Sequence, residues 1–482
     1  MTSLTQHIGR YVLQLGLLAL LALAMLGATP GAQAAPSLSP PQTYYVDPIA
    51  GSDANKGTEN KPFRTLFKAL TTAQPGDTVS LGPGVYSQAT NGEQFGTTSQ
   101  PIPAVSGLTI LGALENGLPA STLQGTGSEV GLSLQANTTV KNLKLIHFDR
   151  AISAAQGQHS LSNLSLTRNA QGIWVGNFSQ TTLAASAISL TAAATGVLVA
   201  RTGQFTMDGG SISGSASNCA TGTTGLFVFG SGQATLKNGA NLTNIAGAAL
   251  AIQDTGMATL DTATISRTLP SGCTPVASVR AAGSASLTLH STIVRSMDGT
   301  NAGGIEMQDN VQLTLDGGSV SRHTGTAIRV LGTGKLSVNG SSFTSNQIGI
   351  DASGAPQASI TITGATLQYN KQAGIIAPAF KLRNSSVHDN GVGIKINGPA
   401  VDLGTLADVG NNTIQNNTTT GVTFASSISS GSVNAVGNTW NPNIQGADAN
   451  GHYTIHMKVI GIGDFAHGTN FDLPNSNFSI QF

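Results

Sequence analysis

One four-residue phrase recurs along this chain, and its recurrence limits the folds available more than any other feature. The phrase is a small residue, an Ile or its equivalent, a variable residue and another apolar one. It reads "AISA" at 151, "GIWV" at 172, "GVLV" at 196, "GLFV" at 225, "ALAI" at 249 and "SVRA" at 278. It continues as "GIEM" at 304, "AIRV" at 327, "GIDA" at 349, "GIIA" at 374, "GIKI" at 393 and "GVTF" at 421, with spacings of 19 to 29 residues. A repeat of that length means a solenoid, because no single copy can bury its own apolar side.

Each copy is followed by apolar residues two apart and a third five further on, as in Leu313, Leu315 and Val320, or Leu336, Val338 and Phe343. Alternation with period two predicts strands, and Gly, Asn and Ser clusters between them predict turns. Strands without helices stack only as the coils of a parallel β-helix, with the inward Ile, Leu and Val sharing one core. About twelve coils at ~4.8 Å each predict a single-stranded solenoid on the order of 55 Å long. The fold class is all-β, in one domain.

Smaller features agree with this expectation. Asn169, Asn346, Asn370, Asn390 and Asn417 precede the phrase by three or four residues, so they stack at one turn, where an Asn amide reaches backbone one coil away. Residues 62–73, "PFRTLFKALTTA", start with Pro and carry Phe63, Leu66, Phe67 and Leu70 at helical spacing, which predicts a short N-terminal capping helix over the exposed end of the stack. Cys219 and Cys273 lie in the two longest turns of the middle region, either side of a coil with almost no loop, and are expected to form a disulfide.

The front of the chain reads as an address. Arg10 precedes the apolar run "VLQLGLLALLALAMLG", and Ala32, Gln33 and Ala34 supply a small-residue cleavage site, so residues 1–34 are expected to be a secretory signal. Residues 35–42 form a Pro-rich lead, and 43–482 the domain: 43–100 as the N-terminal cap region, 135–440 as coils and 441–482 as the C-terminal cap. A secreted, periplasmic or cell-surface protein follows, with no membrane span in the mature chain. With 9% charged residues, zero net charge and no basic cluster, nucleic acid is excluded as a partner. Oligomeric state is not legible.

Residues 44–86, "YYVDPIAGSDANKGTENKPFRTLFKALTTAQPGDTVSLGPGVY", and the closing "GNTWNPNIQGADANG" at 437–451 resemble exported β-helices of the pectate-lyase-like superfamily, most of all the bacterial DUF1565 family. The resemblance implies right-handed coils and an extracellular carbohydrate setting. It implies no activity, since β-helices host lyases, hydrolases, adhesins and bare scaffolds. In "SDANKGTEN", Asp53, Asn55 and Glu59 have the spacing that opens a calcium loop, but Pro62 and the preceding strand break it. Asx turns ordering the lid fit better, and calcium is the one cofactor the pattern allows.

If the phrases stack in register, their variable residues form one outward column: Ser153, Trp174, Leu198, Phe227, Ala251, Arg280, Glu306, Arg329, Asp351, Ile376, Lys395, Thr423. Its first half is apolar, joined by Phe229; its second alternates Arg, Glu, Arg, Asp, with Gln253, Gln308 and Asn397 alongside. Opposite charges on adjacent strands attract by roughly 0.2 to 1 kcal/mol, which explains the alternation as glue. Aromatic rings beside Arg, Gln and Asn are also what a sugar-binding strip requires, with Trp174, Phe227, Phe229, Gln253, Gln308 and Asn397 as contacts.

Catalysis demands more. A uronate lyase needs a base and cations for the carboxylate, which Arg280, Arg329 and Lys395 could provide, though no acidic cluster suited to calcium accompanies them. A hydrolase could pair Glu306 with Asp351 two coils away, but Arg329 between them depresses both. His147, Asp149 and Arg150 offer another acid/base group. The sequence supports a secreted β-helix contacting extracellular or cell-envelope polysaccharide, with catalysis open and a lyase fitting better than a hydrolase. A structural or adhesion scaffold is the other class.

Overall fold

The computed structural model describes residues 40–440 apart from position 103 and stretches at 192–193, 216–221, 269–275, 297–302 and 425–431, together with strands at 453–454, 470–471 and 479–481. The expected signal, the Cys219–Cys273 pair and most of the C-terminal cap lie outside these residues. Among the described residues no helix is long and apolar enough to cross a membrane.

Each coil runs through three parallel strands, as in Arg150–Ala154, Gly157–Ser162 and Ser165–Thr167. The strands that carry the recurring phrase stack into a first face from Val130–Leu134 to Thr420–Phe424. Strands like Gly157–Ser162 form the second face, and short strands of two to four residues form the third, a sheet of 15 strands from Gly84–Tyr86 to Thr439–Trp440. The first two faces fuse into one sheet of 28 strands, because Ala373–Arg383 and Val392–Asp402 each run across both without an intervening turn.

The stack reaches further than coils over 135–440. The second face already begins with Thr43–Val46, Thr78–Leu81 and Thr109–Gly112, so the cap region supplies its own first rungs. Inside, one column of Ile152, Ile173, Val197, Leu226, Leu250 and Val279 continues through Ile305 and Ile328, each at most 1% exposed. Burying each such side chain stabilises by roughly 1.5 to 3 kcal/mol, repeated along the rod.

The corners are one left-handed residue or two in succession, as at Asn238 and Gly239. Between the second and third faces stand Asn142, Asn163, Asn238, Asn384 and Asn411, with φ from 49° to 60°. Asn tolerates this region because its short polar side chain bonds locally, and it turns the chain sharply in one residue. At the next corner the expected Asn ladder forms. Asn346, Asn370 and Asn390 each donate a backbone N–H to the Oδ1 of the Asn one coil on, at 3.0 to 3.1 Å. Their Nδ2 groups donate to Val320, Phe343 and Leu367 carbonyls of the coil before. His323 continues the ladder, its N–H donating to Asn346 Oδ1. Asn169 works apart from the others, accepting from Phe148 N.

The lid helix is shorter than the spacing predicts, Leu66–Thr72, with Thr65 as its N-cap. Phe63 lies outside it, bridged to Val46 and stacked 5.8 Å from Tyr44. The backbone pairing of Phe63 with the first strand overrides its helical spacing to Leu66 and Leu70. Glu93, 1% exposed, holds the helix down: its two oxygens accept from Leu66 N and Phe67 N at 2.8 Å.

Candidate functional site

The outward column has the predicted order, rung by rung. Ser153 pairs with Trp174, Trp174 with Leu198, Leu198 with Phe227, Phe227 with Ala251 and Ala251 with Arg280. Beyond it Arg280, Glu306, Arg329, Asp351, Ile376, Lys395 and Thr423 follow on successive coils. Alternation along each strand sends this residue out and its two neighbours into the core, although Ser153 and Ile376 are covered by their surroundings and buried.

In the apolar half, Trp174, Leu198 and Phe227 are half-buried and form a continuous strip. The ring of Trp174 is not free on both sides. The Arg150 guanidinium lies over it, 5.0 Å from the centroid, fixed by its Nε donating to Gln171 Oε1. Periodicity places Arg150 one coil before Trp174's strand but says nothing of the direction in which so long a side chain folds. Phe227 and Phe229 sit 5.6 Å apart at 33°.

In the charged half, alternation gives one ion pair rather than a chain of them. Arg280 Nε lies 3.5 Å from Glu306 Oε1, which also accepts from Gln308 Nε2 at 2.7 Å. Asp351 turns away and accepts from Ser353 N at 3.0 Å. Arg329, between the two acids and exposed, has no ion-pair partner among the described residues. Glue between strands therefore accounts for Arg280 but not for Arg329.

Arg280, Glu306 and Arg329 border a cleft of about 340 Å³, whose floor is hollowed by Ala277, Gly303 and Thr326 on the same three coils. The two arginines are two rungs apart, about 9.6 Å along the rod. Among the described residues the cleft thus offers one paired and one unpaired guanidinium around a single carboxylate. Lys395 is not part of it, separated from Arg329 by the rungs of Asp351 and Ile376.

The remaining candidates divide. Gln253 is exposed, whereas Asn397 is a strut whose Nδ2 donates to Ser353 O at 3.2 Å. His147 is an exposed left-handed corner residue at φ 62°, and no hydrogen bond joins it to Asp149. Asp53 Oδ1 accepts from Arg64 N and Thr65 N, and its Oδ2 from Thr65 Oγ1. Asn55 Nδ2 donates to Pro62 O, so both residues order the lid connection, and Glu59 is exposed. Among the described residues no three His, Cys, Asp or Glu gather as a metal site.

Residues 49–264 match the family described as Protein of unknown function (DUF1565), and residues 248–402 match the Right handed beta helix region. Over 58 residues the chain is 45% identical to the Uncharacterized protein YwoF of Bacillus subtilis (strain 168), a match covering 12% of this chain and 12% of that protein. Among solved structures it is similar to an alginate lyase from Paenibacillus sp. str. FPU-7, at 14% identity over 62% of this chain and 94% of that one, with a TM-score of 0.33. It is also similar to pectate lyase Pel9A, at 13% identity over 64% and 80%, with a TM-score of 0.34. Likeness at this level carries no residue's role from one chain to another.

Proposed function

We propose that this chain, a right-handed parallel β-helix of the pectate-lyase-like kind with a DUF1565 segment, contacts extracellular or cell-envelope polysaccharide through its first face. The observation that carries this reading is the cleft at Arg280, Glu306 and Arg329, where an exposed guanidinium lacks a carboxylate of its own. A polymer bearing carboxylates or sulfates supplies the missing partner, and guanidinium binds such groups in a planar, bidentate manner. The strip of Trp174, Leu198 and Phe227 on the preceding coils then takes the apolar faces of neighbouring sugars.

Catalysis is not part of the proposal. Among the described residues Glu306 is the one carboxylate in the cleft, its Oε1 held by Arg280 and Gln308, and no second carboxylate stands beside it to complete an acid/base pair. The scaffold reading keeps one observation in its favour, the covering of Trp174 by Arg150.

Affinity electrophoresis of the full chain in gels containing polygalacturonate or alginate tests the reading, run with and without calcium. Retardation that falls about tenfold in Arg329→Ala supports it. Migration unchanged in every acidic gel removes the first face as a glycan site and favours the scaffold. Ultraviolet absorbance from unsaturated products on a retarding polymer would add lyase activity.

A further inference from the structure

The second face carries two outward columns of a different character. Gln158, Gln180, Gln204 and Gln233 stack on successive coils. Two residues on in each strand lies a hydroxyl column: Thr139, Ser160, Thr182, Thr206 and Thr235, continued by Thr259, Thr288, Thr314, Ser337 and Thr361. None of these side chains is buried. At ~4.8 Å per rung the hydroxyl column runs about 43 Å. Threonine suits any solvent-facing strand, so propensity alone explains much of the hydroxyl column. It does not explain four glutamines in register, since amides have no such preference.

The buried Asn column of this molecule bonds to itself, coil to coil. Among the described residues, the four glutamine side chains and the hydroxyls beside them make no hydrogen bond within the chain. Where the two columns begin they open into a cleft of about 590 Å³, lined by Asn137, Thr139, Gln158, Ser160, Gln180 and Thr182. No carboxylate, Lys or Arg lines it, and burial holds the pKa of His159 beneath it down, which keeps that ring neutral at physiological pH. Phe178, two residues before Gln180, is 78% exposed and left-handed at φ 59°. A bulky residue in that conformation costs free energy, and an exposed ring buries nothing to offset it.

We infer that this cleft and the columns running from it bind a neutral polysaccharide strand, at a site separate from the arginine cleft and independent of it. Amides and hydroxyls each donate and accept, which matches the hydroxyls of uncharged sugars. A polyanion would meet no cation here. The Phe178 ring, on the turn that leads into Gln180's strand, supplies a platform for the apolar face of a pyranose.

The test is affinity electrophoresis of the full chain in gels of galactomannan, mixed-linkage β-glucan and dextran, with polygalacturonate as the charged counterpart. Retardation is expected in at least one neutral gel, weakened about tenfold by the pair Gln158→Ala and Gln180→Ala, and separately by Phe178→Ser. Arg329→Ala should leave it unchanged. Thermal melts of each variant check folding, which these unpartnered surface groups do not support. No retardation in any neutral gel, or retardation that survives both variants, overturns the inference. So would inhibition of ice growth lost in the same variants, because the regular hydroxyl column would then be reading a water lattice instead of a glycan.

Discussion

Two columns of side-chain amides run along this rod, and they have opposite fates. At the corner before the first face, Asn346, Asn370, Asn390 and Asn417 are buried and bond one another coil to coil. On the second face, Gln158, Gln180, Gln204 and Gln233 have the same functional group and nearly the same spacing, yet face water and bond nothing among the described residues. Burial decides the difference. An amide inside must find partners or destabilise the fold, while an amide outside keeps its donors and acceptors for something else.

The hardest blow to this contrast is Asn370→Ala. It leaves Asn346 N without the Oδ1 it donates to and removes one bond each from Asn346 Nδ2, Asn390 Oδ1 and the Phe343 carbonyl, and should destabilise by about 3 to 5 kcal/mol in urea unfolding. A loss below about 1 kcal/mol would mean that water substitutes freely in the ladder. Next is the ladder's end. Burial holds the His323 pKa down at about 4 against 6.5, so below about pH 6.5 the unfolded chain takes up a proton that the folded chain refuses until about 4. Stability should fall as pH falls through that window, by roughly 3 kcal/mol, and His323→Asn should flatten the profile.

Effects on the exposed surfaces are smaller. Arg329→Ala should weaken binding to an acidic polymer about tenfold, or ~1.4 kcal/mol, without moving the melting temperature. Gln180→Ala should change stability by no more than ~0.5 kcal/mol, which sets it against Asn370→Ala as the sharpest measure of the two fates.

The register of the first face was legible because the recurring phrase fixes one residue per coil and period two fixes its direction. Arg280, Glu306 and Arg329 could therefore be placed side by side from spacing alone. What each side chain does next could not. Arg150 folds over Trp174 and Asp351 turns to Ser353, choices set by rotamers and local backbone that a repeat pattern does not encode. The early rungs at Thr43–Val46, Thr78–Leu81 and Thr109–Gly112 escaped for another reason: the lid and its loops interrupt their spacing. The glutamine column did leave a trace, in "QHSL", "QTTL", "QFTM" and "QATL" at 158, 180, 204 and 233, one phrase per coil on the strand after the recurring one.

The parallel stacking also sets how the molecule answers force. Backbone bonds between coils, such as those joining Gln158's strand to Gln180's, point along the rod. Tension along the axis opens them one coil at a time, whereas a sideways pull loads a whole strand at once. Coils bond mainly to their neighbours, with the Asn397 strut to Ser353 reaching one coil further, so a molecule stretched lengthwise should yield in coil-sized steps, each step lengthening it by the contour of one repeat.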